Sequence, residues 1–73
     1  MPLRPLSFRE VKRKLEAAGF VEIVRKGSHV KFIKETEGGK RVVIVPCHSE
    51  IALGTLRSIL RQAGLSPEEF DAL

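Results

Sequence analysis

Two apolar stripes at helical spacing bracket a stretch in which the spacing changes to two. Phe8, Val11, Leu15 and Ala18 recur at intervals of three, four and three, which places one apolar face on a helix. Ser7-Phe8-Arg9-Glu10 reads as a capping box, the Ser7 hydroxyl accepting from the Glu10 amide while Glu10 reaches back. Arg9, Lys12, Arg13, Lys14 and Glu16 are assigned to the remaining, solvent-facing surface. Gly19 suits the left-handed residue that ends such a helix. The second stripe is Leu53, Leu56, Ile59, Leu60 and Ala63. Gly64 closes it, and Leu65 is the apolar contact that usually follows. Ser66-Pro67-Glu68-Glu69 is another capping box, with proline at the first helical position, and predicts a short terminal helix over 66–73.

Between the stripes, Phe20 to Lys26 is β-branched and aromatic and reads as a strand. Gly27-Ser28 is a tight-turn signal. His29 to Lys34 alternates, with Val30 and Phe32 on one side and His29, Lys31 and Ile33 on the other. Glu35 to Lys40, containing Gly38-Gly39, is the next turn. Arg41 to Val45 is a third strand stopped by Pro46, and Pro46 to Ala52 is a loop. Short connections predict an antiparallel meander. The expected fold is therefore α+β: a three-stranded antiparallel sheet with two helices packed on one face, in the order α-β-β-β-α, plus a short C-terminal helix. Residues 1–73 are expected to form a single domain, with 1–6, which contains Pro2 and Pro5, as an extended leader. One sheet face is left in water, and His29, Lys31 and Ile33 lie on it. The order of elements is that of double-stranded RNA-binding domains, an analogy of fold and not of function.

The 73 residues leave little room for a deep cofactor pocket. No apolar run approaches the ~20 residues of a membrane span, and the N-terminus lacks the pattern of a secretory signal. Cys47 is the single cysteine, which excludes an internal disulfide and fits a reducing, cytoplasmic setting. The four Phe, with no Trp or Tyr, give an aromatic stacking platform for bases little to build with. Thirteen basic residues against nine acidic leave a net charge of +4. Three of the acids, Glu68, Glu69 and Asp71, fall in the last eight residues, where there is no Lys or Arg; the rest of the chain carries thirteen bases against six acids (nine less three). That balance favours a polyanionic partner such as nucleic acid, although a basic surface also serves solubility alone.

Gly27-Ser28-His29 is the most suggestive local group. It sets an imidazole just after a tight turn, among Arg25, Lys26, Lys31 and Lys34. An imidazole takes and gives protons near neutral pH, and flanking cations can stabilise charge developing on phosphodiester oxygens. The arrangement suits RNA cleavage without a metal or other cofactor, in which a base draws the proton from a 2′-hydroxyl and that oxygen attacks the adjacent phosphorus. A surface histidine in a turn is the plainer alternative. Cys47-His48 does not make a zinc site alone. Cys47 reads as a half-buried residue after a strand, and His48 as either a loop residue or an assistant to His29. No close Asp pair offers itself to Mg²⁺, and Gly38-Gly39 lacks the Lys-Ser/Thr of a phosphate loop. Arg57 and Arg61, four apart on one helical face, are either phosphate contacts or simply solvated.

Three stretches, taken together, resemble the HicA (YcfA-like) toxins, the mRNA interferases of bacterial HicA–HicB toxin–antitoxin pairs. They are the helix running into Ala18-Gly19-Phe20-Val21, the segment Lys26-Gly27-Ser28-His29-Val30-Lys31-Phe32, and Gly54-Thr55-Leu56-Arg57-Ser58-Ile59-Leu60-Arg61-Gln62-Ala63-Gly64-Leu65. The strand Val42-Val43-Ile44-Val45-Pro46 and His48 lie between them in the family's order, and the likeness runs from about Ser7 to Phe70. The chain departs from the family at Leu53, where proline is frequent, and in its Pro2/Pro5 leader. The resemblance implies a double-stranded-RNA-binding-like fold and metal-independent endoribonuclease activity on mRNA. It also implies an essential histidine at His29 and a HicB-like antitoxin that covers that region. On this reading His29 is the catalytic residue, and Gly27, Ser28, Lys26, Lys31 and Arg57 meet the substrate. The alternatives are a non-catalytic double-stranded RNA-binding module and a domain whose sheet face serves only a protein partner. The histidine separates enzyme from module, because duplex binding by shape uses phosphate and 2′-hydroxyl contacts and has no need of an imidazole.

Overall fold

The structure is a computed structural model and describes residues 3–73; Met1 and Pro2, the start of the expected leader, lie outside the described residues. Six elements follow one another: α1 (Phe8–Ala17), β1 (Val21–Lys26), β2 (His29–Thr36), β3 (Gly39–Pro46), α2 (Leu53–Ala63) and α3 (Pro67–Asp71). The strands form one antiparallel sheet in the order β1-β2-β3. This is the α+β arrangement that the change of period predicts, with helices before and after the meander.

The alternation in β2 decides the layering. Val30 and Phe32 stand opposite Val45 and Val43 of β3, and all four are fully buried. They join Val11 and Leu15 of α1, Leu56, Ile59 and Leu60 of α2, and Phe70 of α3 in one core. The neighbouring positions, His29, Lys31 and Ile33 with Pro46, Ile44 and Val42 opposite them, point away from that core. The sheet thus has an inner face under the helices and an open outer face.

Helix ends follow the local signals with one difference. The Ser7 hydroxyl accepts from the Glu10 amide at 3.2 Å. The Glu10 side chain, however, does not reach back; it accepts from Arg13 Nε at 3.1 Å, and this hydrogen bond and the guanidinium charge hold its carboxyl below the ordinary value. The full reciprocal box forms at α3, between Ser66 and Glu69. At the end of α1, Gly19 adopts φ +100°, and the Gly19 and Phe20 amides donate to the carbonyls of Glu16 and Leu15, closing the helix in a Schellman arrangement.

Three boundaries and placements differ from the sequence expectation. The second hairpin loop is only Glu37-Gly38, so β2 and β3 extend to Thr36 and back to Gly39. Glu35 pairs opposite Lys40, and the Thr36 hydroxyl donates to the Gly39 carbonyl at 2.6 Å. Those contacts recruit residues whose composition reads as a turn. Leu6, in the leader, is buried and forms an antiparallel bridge with Ile51, which ties the chain before α1 to the loop before α2. Lys14, expected on the solvent side of α1, is only 7% exposed. Its ammonium donates to the carbonyls of Leu73 at 3.0 Å and Phe70 at 3.2 Å, with Asp71 at 3.5 Å. It also lies 5.3 Å from the Phe70 ring centre. The physical reason is α3 itself: a helix terminus offers free carbonyls, and Lys14 is the cation that meets them.

Candidate functional site

The turn before His29 is built for a sharp reversal. Gly27 has φ +62°, and no residue other than glycine has a positive φ among those described, so Ser28 keeps a negative one. A positive φ at the first central residue only is the pattern of a type II′ hairpin turn. Lys26 and His29 face each other across it. The Ser28 carbonyl accepts from the Cys47 amide, which fastens the turn to the end of β3. His29 therefore begins the central strand on a backbone held from both sides.

The His29 side chain is exposed, and among the described residues it enters no hydrogen bond or ion pair. It opens onto a shallow depression of about 240 Å³ lined by Val24, Lys26, His29, Val30, Lys31 and Ile44. None of these six is acidic. The local charge is that of two ammonium groups beside a free imidazole, a setting for an anion and a transferable proton.

Of the residues singled out in the sequence, Lys26, His29 and Lys31 come together at this depression, and Gly27 and Ser28 make the exposed turn beside it. Arg57 does not line it; it is exposed on α2, in the helical layer. Arg25 turns inward. Its guanidinium lies 5.4 Å from the Phe8 ring centre and donates to Cys47 Sγ at 3.1 Å. Lys34 lies 5.7 Å from the ring of Phe20. These two cations are thus drawn toward aromatic rings next to the core rather than toward His29. His48 is exposed, its carbonyl accepts from the Phe8 amide at 3.1 Å, and it does not line the depression. Among the described residues, no three His, Cys, Asp or Glu side chains gather as a metal-binding group.

Val24 and Ile44 are the lining residues that sequence reasoning missed. Ile44 had been read only as part of a strand, and the register that puts both beside Lys31 was unknown. Alternation alone gives Ile44 the outer face. Val24 is harder to place, because β1 is irregular between Glu22 and Val24, and a bulge shifts the alternation by one residue.

A family model described as the HicA toxin of bacterial toxin–antitoxin systems matches residues 8–65. The chain belongs to the HicA toxin family. The matched span runs from the first residue of α1 to just past α2 and contains the whole sheet, the Gly27-Ser28-His29 turn and the depression. The HicA assignment makes the chain a toxin of a toxin–antitoxin pair, with an antitoxin as its partner. No curated protein matches the chain. No helix among the described residues is long and apolar enough to cross a membrane.

Proposed function

We propose that this HicA-family chain is an endoribonuclease toxin that cleaves mRNA without a metal, with His29 as its proton-transfer group. The observation that carries the reading is the exposed, unpaired His29 imidazole in a depression with Lys26 and Lys31 and no acidic lining residue. A phosphodiester seated between the two ammonium groups brings its neighbouring 2′-hydroxyl to the imidazole. Neutral His29 takes the hydroxyl proton, and the 2′-oxygen forms a bond to phosphorus. Lys26 and Lys31 offset the charge that grows on the non-bridging oxygens. The P–O5′ bond then breaks, the 5′-oxygen takes up a proton, and the products are a 2′,3′-cyclic phosphate and a 5′-hydroxyl. The Gly27-Ser28 turn fixes where the imidazole begins, so its contribution is to position the reacting group. A HicB-like antitoxin that covers the outer face would silence the site directly. The cytoplasm, where mRNA and antitoxin meet, is the compartment this reading requires.

The test is degradation of RNA by purified protein in EDTA, wild type beside His29→Ala. Cleavage by the wild type is expected to persist in the chelator. The alanine variant is expected to lose about 10²–10⁴-fold in rate, the usual contribution of a general acid or base, with an unchanged circular-dichroism spectrum. Activity that vanishes in EDTA and returns with Mg²⁺ or Mn²⁺ would overturn the metal-free mechanism. Wild-type rates in His29→Ala would remove the histidine from it.

A further inference from the structure

The outer face of the sheet is open to solvent, yet much of it is apolar. Val24 is 50% exposed and Ile44 39%. They stand on the strands either side of Lys31, each directly opposite it, so one ammonium-bearing side chain is set between two aliphatic ones. Half of the depression's lining is therefore aliphatic (Val24, Val30, Ile44), and the other half is Lys26, His29 and Lys31. A ligand that matches both halves carries an anionic group next to a flat apolar one. A nucleotide has that composition: a phosphate beside a base whose faces are poorly hydrated.

Size and shape narrow this further. At about 240 Å³ the depression falls below the roughly 300–1,000 Å³ of pockets that hold drug-sized ligands, which suits one planar ring and not a stack. In a duplex the bases are stacked inside and present only their edges, so a protein meets sugar, phosphate and groove. An aliphatic floor beside the reacting phosphate has nothing to match on such a surface. It does match a base that has been splayed out of a single strand.

We propose that Val24 and Ile44 form a platform for one unpaired nucleobase of the RNA, next to the phosphate at Lys26, Lys31 and His29. The proposal rests on the ribonuclease reading above and specifies its substrate as single-stranded at the site. The platform is aliphatic, in a chain with no Trp or Tyr, so it acts by dispersion and by shielding the base face from water. Every base has such a face, so this contact itself discriminates little among the four.

The absence of Trp and Tyr supplies the assay. Ile44→Trp, made together with His29→Ala so that RNA is not consumed, puts a sole indole on the platform. The probe is a six-nucleotide RNA without self-complementarity, used as a single strand and annealed to its complement. The single strand is expected to quench the indole emission, and the duplex is not. In a parallel titration by anisotropy, Val24→Ser and Ile44→Ser, each with His29→Ala, are expected to bind the labelled single strand about three- to tenfold more weakly. That loss is smaller than the one that follows removal of an aromatic stacking partner. An abasic strand of the same length is expected to bind these variants and their parent equally. Equal quenching by the duplex, or single-strand affinity untouched by both serine substitutions, would overturn the platform and leave the apolar face to a protein partner. These readouts need no cleavage. Quenching by a protein that does not cut RNA would sink the catalytic reading and keep the platform; cutting without quenching would do the reverse.

Discussion

Replacing Lys14 with methionine isolates the contribution of one buried ammonium group. Methionine keeps most of the aliphatic stem that packs between α1 and α3, and removes the charge and the three donors. What is lost is the pair of good hydrogen bonds to Leu73 O at 3.0 Å and Phe70 O at 3.2 Å; the 3.5 Å approach to Asp71 O lies at the geometric limit and adds little. A hydrogen bond to a charged group contributes about 1.5–3 kcal/mol. Two of them, offset in part because the variant no longer desolvates an ammonium group, give a net loss of about 2–3 kcal/mol. At about 0.05–0.15 kcal/mol per residue, a chain of 73 residues has roughly 4–11 kcal/mol in all, so the change is large. A domain of this size shifts by about 4–8 °C per kcal/mol, which sets the expected fall in Tm at roughly 8–24 °C. The assay is equilibrium urea unfolding followed by circular dichroism, with m checked for constancy. Amide exchange at Phe70 to Leu73 reads whether α3 releases first. A Lys14→Met variant within 0.5 kcal/mol of wild type, with exchange at α3 unchanged, would refute the assignment of Lys14 as the clamp on that helix.

Other substitutions separate the core from the site. Phe32 is fully buried beneath the helices, so Phe32→Ala is expected to cost about 3–5 kcal/mol through the cavity it leaves; a loss below 1 kcal/mol in urea unfolding would mean that the core closes over the gap. Lys31→Ala is expected to lower the slope of log affinity against log salt for single-stranded RNA by about 0.7, the value of one phosphate contact. Arg57→Ala, in the helical layer, is expected to leave that slope alone, and a drop equal to that of Lys31→Ala would show that RNA wraps onto α2.

The features most legible in the sequence are those in which one local rule acts undisturbed. Val30 and Phe32 alternate with His29 and Lys31 in a strand that pairs on both sides, so period two alone separates core from solvent. Gly27 and Gly19 announce their turns because only glycine takes those positive φ values cheaply. The failures share a cause: each depends on a partner distant in the chain. Glu35 and Lys40 look like turn residues until they are set opposite each other. Lys14 looks like one more cation on a basic helix, and only the arrival of the α3 carbonyls, more than fifty residues later, makes it an inside residue. Arg25 and Lys34, counted beside His29 in the linear reading, are turned inward by alternation and settle near Phe8 and Phe20.

That sorting of cations bears on function more than their number does. A net charge of +4 attracts any polyanion, but only the lysines that share the imidazole's face can act on a phosphate held beside it. Lys26 and Lys31 are on that face because they pair across from His29 or sit two residues along the same strand. The helices occupy the inner face and bury its apolar residues, which leaves the outer face free of structural duty. An exposed imidazole with no partner contributes little to the fold, and Val24 and Ile44, half in water, contribute less than their buried neighbours. Residues that stabilise little yet are grouped with two cations around one depression are placed where a substrate can use them. Substitutions there should change RNA handling before they change stability, whereas substitutions at Phe32 or Lys14 should do the opposite.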